Sequence, residues 1–252
     1  MGGETDYGWY EMNGPIRILL LGGSGLLGTE LQKLRKFDWA PCRVEFDFTN
    51  HKSIDNFFVT VGHLGIKTLN EFPDLIVNCA AWTAVEAAET HKTECYETNV
   101  VGVRNLVATG IPILHISTAY VFDGAKGNYK ETDPVNPLGY YALTKALGEE
   151  AVLAGSGKII RTLFKPSPWK YPRAYTDQIT TGMYVQEAAK KIDWCIENFE
   201  SLPEILHVGG KRQSIFDLAS ETRGVAMMSR LEVSANLPAD VSLDDSLYRS
   251  LI

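Results

Sequence analysis

Tyr141 and Lys145 stand four residues apart in the run Tyr140-Tyr141-Ala142-Leu143-Thr144-Lys145, so on a helix they share one face. A phenol beside an ammonium is a proton donor whose ionised form is stabilised. A group that protonates a carbonyl oxygen during its reduction needs that property. The chain has 11 Tyr, and roughly one such spacing arises by accident, so the pair gains weight only from its company. Upstream, Ser117-Thr118 ends an apolar run, where a hydroxyl can hold and orient a substrate carbonyl. Further upstream lies Leu21-Gly22-Gly23-Ser24-Gly25-Leu26-Leu27-Gly28, with Gly22, Gly25 and Gly28 at three-residue spacing. Alone, these read as a surface tyrosine, a solvated lysine, a strand-end turn and a flexible loop. In this order they read as the site of a nicotinamide-dependent carbonyl reductase. Tyr141 then donates the proton, Lys145 depresses the phenol's pKa and holds the cofactor ribose, and the cofactor brings the hydride.

These groups need elements to carry them. Residues 16–21 form a mostly apolar run of the kind buried in a parallel sheet. The glycine turn follows, then a helix through Thr29, Glu30, Leu31 and Leu34. Gly22 would allow the tight turn, Gly25 the approach of a pyrophosphate, and Gly28 close helix–strand packing. The pyrophosphate would face the unpaired N–H groups of the helix N-terminus. Further strands are predicted at 43–46, ending at Asp47, and at 74–79, 111–116 and 158–163. Helices are predicted at 53–59, 96–108 and 140–153. Strands alternating with helices imply right-handed crossovers and an α/β Rossmann-type, doubly wound parallel sheet. Beyond Phe164 the pattern weakens, because Pro166, Pro168 and Pro172 exclude regular helix. A helix at 185–199, a strand at 205–208 and a helix at 214–222 follow. The expected organisation is a flexible arm over 1–14, a dinucleotide-binding domain over 15–165, and a small substrate-binding lobe over 166–252, with a return to the main sheet left open.

The chain has 252 residues, is 45% hydrophobic and carries a net charge of −7. That charge argues against a nucleic-acid surface, and no apolar run is long enough to span a bilayer. The start, Met1-Gly2-Gly3-Glu4-Thr5-Asp6, lacks the basic end and apolar core of a signal peptide. Cys42, Cys79, Cys95 and Cys195 are scattered, with neither CxxC spacing nor a disulfide framework. Reduced cytoplasmic thiols are the simple reading. His51, His63, His91 and His207 have no metal spacing, and His115 reads as a core residue. Asp47 lies where an acidic residue would hold an adenosine ribose, and equally where a helix cap would stand; Arg43 just before it suits a 2′-phosphate. NAD and NADP both stay open.

The stretches Asn78-Cys79-Ala80-Ala81-Trp82-Thr83-Ala84-Val85-Glu86-Ala87-Ala88-Glu89 and Ser117-Thr118-Ala119-Tyr120-Val121-Phe122-Asp123-Gly124 resemble the extended short-chain dehydrogenases/reductases. More narrowly they resemble the dTDP-4-dehydrorhamnose reductase family, as do Asn136-Pro137-Leu138-Gly139 with the Tyr141–Lys145 run, Asp177-Gln178, and the tail 239–244. The resemblance implies reduction of the 4-keto group of a nucleotide-linked 6-deoxy sugar, with NADP or NAD as cofactor. It implies a catalytic set of Thr118, Tyr141 and Lys145, with Ser117 beside them. Gly22, Ser24, Gly25, Leu26 and Leu27 would bind the pyrophosphate, Asp47 and Phe48 would lie near the adenine, and Cys79, Ala80 and Ala81 would follow the ribose. Asn99 would support the strand near the nicotinamide, or be a plain helix-face amide. Three departures stand out. Ala119 replaces the family's Asp, no Trp follows Arg161-Thr162, and the stretch 165–177 is short. That short stretch leaves open a cofactor-binding regulatory subunit without turnover, as well as an epimerase or dehydratase of the superfamily. A homodimer is admitted, and the sequence does not choose the oligomer.

Overall fold

The computed structural model describes residues 16–63 and 72–252, so the arm expected over 1–14 lies outside the described residues. Five parallel strands form the central sheet: β1 (Ile18–Leu21), β2 (Leu75–Asn78), β3 (Ile113–Thr118), β4 (Lys158–Thr162) and β5 (Ile205–His207), side by side in that order. Side chains alternate across the sheet, which divides the apolar runs between two layers. Ile18, Leu20, Val77, Leu114 and Ile160 face α1 (Leu26–Leu34) and the later helix 185–197, which pack on one another. Leu19, Leu21, Ile76 and Ile113 face the other way, onto Ile54 of α2 (His51–His63) and Leu106. Both faces are covered, which a parallel sheet requires.

Between β2 and β3 the chain runs through α3 (Lys92–Tyr96), a π-helical turn over Glu97–Val101, and α4 (Gly102–Ala108). The single helix expected over 96–108 is thus interrupted by a wider turn. Helix α5 (Tyr140–Leu153) links β3 to β4, and α6 (Val185–Glu197) links β4 to β5. So 185–207 belongs to the main sheet and its cover. The remaining C-terminal pieces are short: the pair Arg173–Tyr175 with Ala226–Met228, the pair Ile179–Thr180 with Gln213–Ser214, α7 (Ile215–Ser220) and α8 (Ser246–Leu251). Among the described residues no helix is long and apolar enough to cross a membrane.

One predicted strand does not form. At 43–46 the chain curls instead: Glu45 N and Phe46 N both donate to Cys42 O at 3.0 Å, and the Glu45 carboxylate accepts from Cys42 N at 2.8 Å. Val44 is left 95% exposed. A four-residue run with one outward valine has little to bury, so local turn bonds outcompete a ladder. What remains of a strand beside β1 is a single bridge at Trp39, where Leu20 N donates to Trp39 O at 2.8 Å.

Candidate active site

The carboxyl ends of β1 to β4 open into one cavity of about 600 Å³. At its floor β1 turns sharply. Gly22 has φ +78°, and a Cβ there would stand 2.7 Å from Ala80 N; a Cβ on Gly28 would stand 2.3 Å from Gly22 O. Only glycine lets the turn and helix approach this closely. No side chain caps α1, so its first N–H groups face the cavity as anion donors. Ser24, Gly25, Leu26 and Leu27 line this floor, and Cys79, Ala80 and Ala81 continue the wall from the end of β2. Burial pushes the Cys79 thiol up to about 12.

Thr118 leaves the end of β3, while Tyr141 and Lys145 descend from α5; all three line the cavity, with Ser117 beside them. The backbone N–H of Tyr140 donates to Glu89 Oε1 at 2.7 Å, so this acid caps α5 at the turn that carries Tyr141. Burial pushes the Tyr141 hydroxyl up to about 12, with a hydrogen bond from Thr118 pulling against it. The Lys145 head donates to Ile116 O at 2.8 Å and meets His115 Nε2 at 3.1 Å. Asn78 Oδ1 accepts from Ala80 N, so its Nδ2 donates to His115 Nδ1 at 3.1 Å. The ring proton then sits on Nε2 and faces the lysine head, which disfavours the ammonium and favours the neutral amine. Burial acts in the same direction and lowers Lys145 to about 8, against the pull of Glu149. A buried phenol that keeps its proton and a lysine poised to lose one suit proton delivery to a carbonyl oxygen.

The scaffold behind these groups is hydrogen-bonded throughout. Asn99 sits in the π-helical turn, accepts from Trp82 N at 2.9 Å and donates to Thr144 Oγ1 at 3.0 Å. Thr144 in turn donates to Tyr141 O at 2.8 Å. Asn99 therefore ties the loop after β2 to α5 and stays behind the cavity wall. Ser117 Oγ donates to Glu149 Oε1, and Arg161 Nη2 grips the same carboxylate at 2.7 Å, all three buried. The sequence reading missed Glu149. Its signal was an acid four residues beyond Lys145 on the same helix face. Tyr120 also lines the cavity, its ring edge toward Tyr141 and its hydroxyl donating to Gln178 Oε1 at 3.2 Å.

At the far end the expected adenine contacts separate. Phe48 lines the cavity and is fixed from behind, its carbonyl accepting from Asn105 Nδ2 at 3.0 Å. Asp47 lies outside the wall. Its carboxylate accepts from Thr49 N at 3.0 Å and from Thr49 Oγ1 at 2.7 Å, and it faces Arg43 at 3.8 Å. It caps a turn because no second strand presents it to the cavity. Arg43, Phe46 and Thr49 line this end instead. Tyr171 also lines the cavity, while Trp169 is buried against Ala174, Ile215 and Ala219. Among the described residues the wall carries Arg43, Lys145, Lys165 and Lys170 and no carboxylate. A glycine cradle at a helix start, inside an acid-free wall, fits a dinucleotide's phosphates.

Residues 16–164 match the protein family described as RmlD substrate binding domain. A dTDP-4-dehydrorhamnose reductase of Aggregatibacter actinomycetemcomitans is 39% identical over 154 residues, covering 58% of this chain and 50% of that protein. The spore coat polysaccharide biosynthesis protein SpsK of Bacillus subtilis is 30% identical over 219 residues, covering 76% and 72%. The crystal structure of a hypothetical dTDP-4-dehydrorhamnose reductase from Sulfolobus tokodaii superposes with a TM-score of 0.76 at 30% identity, covering 94% and 95%. The chain spans about half the length of the curated reductases it matches. With the parallel sheet, the glycine cradle and the Thr118–Tyr141–Lys145 wall in one cavity, these matches show that the chain belongs to the RmlD substrate binding domain family.

Proposed function

We propose that the protein reduces the 4-keto group of a nucleotide-linked 6-deoxy sugar, using NADPH or NADH. The observation that carries this reading is the convergence of Thr118, Tyr141 and Lys145 on the cavity that the glycine cradle floors. Gly22, Ser24, Gly25, Leu26 and Leu27 would hold the cofactor pyrophosphate, Phe48 the adenine, and Cys79, Ala80 and Ala81 the ribose side. The cofactor supplies a hydride when bound. Tyr141 holds the proton destined for the carbonyl oxygen, and its buried hydroxyl keeps that proton at working pH. Thr118 orients the carbonyl through its hydroxyl. Lys145 holds the ribose and can restore the proton to the hydroxyl network. The segment 166–182 and the stretch after β5 would form the substrate lobe. Four free cysteines support a reducing, cytoplasmic setting, and the nucleotide sugar is the partner.

Incubation with a dTDP-4-keto-6-deoxy sugar and either reduced cofactor should bleach the near-ultraviolet band of the reduced nicotinamide. No consumption of NADPH or NADH, across several nucleotide-linked 4-keto sugars, would remove the reading. Tightly co-purifying NAD with no net redox change would point to an epimerase or dehydratase. A partner enzyme whose behaviour is unchanged by Tyr141→Phe would point to a regulatory subunit. Light scattering decides between monomer and homodimer.

A further inference from the structure

The segment that follows β4 is built to present two cations. Phe164–Lys165 pairs in parallel with Met183–Tyr184, which fixes Lys165 at the lip of the sheet, half-buried. Four residues on, Trp169 is driven into a small core with Ala174, Ile215 and Ala219, and its backbone N–H donates to Thr222 Oγ1 at 3.0 Å. That anchor leaves the next two side chains on the cavity side, with Lys170 Nζ 5.2 Å from the centre of the Tyr171 ring. Two ammonium groups thus share one wall of a cavity that, among the described residues, no carboxylate lines. Among those residues the charge acting on Lys165 is the like charge of Lys170, and this repulsion adds to burial in holding its amine below the ordinary lysine range. In a protein of net charge −7, a half-buried cation facing another cation is costly unless an anion completes the group. The glycine cradle and Arg43 lie at the opposite end, toward β1, and Tyr141 and Lys145 stand between.

Building on the reductase reading, we infer that Lys165 and Lys170 form a second anion subsite, which holds the diphosphate of the nucleotide-sugar substrate across the cavity from the glycine cradle. The two lysines flank the substrate's diphosphate and Tyr171 offers a ring face beside it. The sugar is then directed toward Tyr141. A diphosphate could also come from the cofactor itself, and the measurement separates the two sources. Binding of dTDP is titrated calorimetrically into protein saturated with NADPH, and binding of NADPH is titrated separately, for wild type, Lys165→Gln/Lys170→Gln and Lys165→Arg/Lys170→Arg. The Gln variant should lose roughly ten- to a hundredfold in dTDP affinity, the worth of hydrogen bonds to a charged group. It should lose less for dTMP and keep its NADPH affinity, which also shows that it folds. The Arg variant should recover most of the loss. At alkaline pH, dTDP binding to wild type should take up protons, because the anion raises Lys165, and the Gln variant should take up fewer. Equal dTDP affinity in all three proteins overturns the inference. So does a loss confined to NADPH, which would give the lysines to the cofactor, and so does a wild type that binds neither dTDP nor UDP. Turnover of a keto sugar by the Gln variant with unchanged KM would leave the reductase reading standing and the subsite refuted. Lysine-dependent dTDP binding without turnover of any keto sugar would do the reverse.

Discussion

The two ends of the cavity are held by different means. At the reacting end, the groups that carry the site are braced from behind: the Tyr141 backbone through Thr144 and Asn99, the Ser117 side chain through Glu149 and Arg161, and α5 through Glu89 at its start. At the far end, the outer edge of β1, away from β2, is met among the described residues by the bridge at Trp39, and the chain from Cys42 to Asp47 is shaped by bonds within itself. The contrast shows where precision is needed. Proton transfer demands placement within a fraction of an ångström, whereas an adenosine can be held by an apolar wall and one cation.

The contrast is broken most readily at its strongest point. Glu149→Ala should destabilise the fold by about 3–5 kcal/mol, because it strands the buried Arg161 guanidinium without its partner; chemical denaturation measures it, and a loss below that of an average surface change would dissolve the distinction. Tyr141→Phe comes next. It should slow the chemical step about a hundredfold with cofactor affinity nearly unchanged, read by single-turnover kinetics, and a full rate would dismiss the assigned role. Asn99→Leu should cost about 1–3 kcal/mol through the groups it leaves unpaired, and should lower kcat more than a substitution of equal cost at the far end.

The acid–base side sharpens the same contrast. Tyr141, at about 12, keeps its proton throughout, so a decline of kcat/KM as pH rises through about 8 reports Lys145. Lys145 is neutral in the fold and charged in the unfolded chain between about 8 and 10.5, so stability rises with pH across that window; below about 8 the fold carries the full cost of the buried ammonium, and above 10.5 that cost is gone. A flat profile would show that this ammonium is not needed. The smallest effect is expected at Arg43→Ala. Its exposed pairing with Asp47 should be worth no more than about 0.5 kcal/mol, so melting should not move, and a large drop would mean that the far end is braced after all.

The reacting end was legible because its signals are local. Apolar runs ending in Thr118, a helix from Tyr140 to Leu153 and the spaced glycines each follow from periodicity and turn chemistry. The far end was not. Arg43-Val44-Glu45-Phe46 satisfies a strand pattern, and only the tertiary outcome shows Val44 facing water. The short span between α1 and α2, with Pro41 inside it, was the available clue that no full strand and connection fit there. Asp47 therefore sat at the expected distance in sequence, while in space its carboxylate turns to Thr49 and Arg43. Nor could spacing tell where the Lys145 head would point, because its partners, His115 and Ile116 O, lie on another strand.

The widened turn at Glu97–Val101 holds one residue more than an ordinary turn would. Deleting a residue there would wind everything downstream back by about 100°. Gly102, where a Cβ would stand 2.4 Å from the Phe48 ring, would rotate out of register, and Val103 and Leu106 would swing off the sheet. The same slip would set Gly148, where a Cβ would stand 2.6 Å from Asn99 O, against the wrong neighbour. An extra amino acid in one helix thus sets the angular phase of both ends of the crevice at once, and a one-codon deletion there would uncouple them.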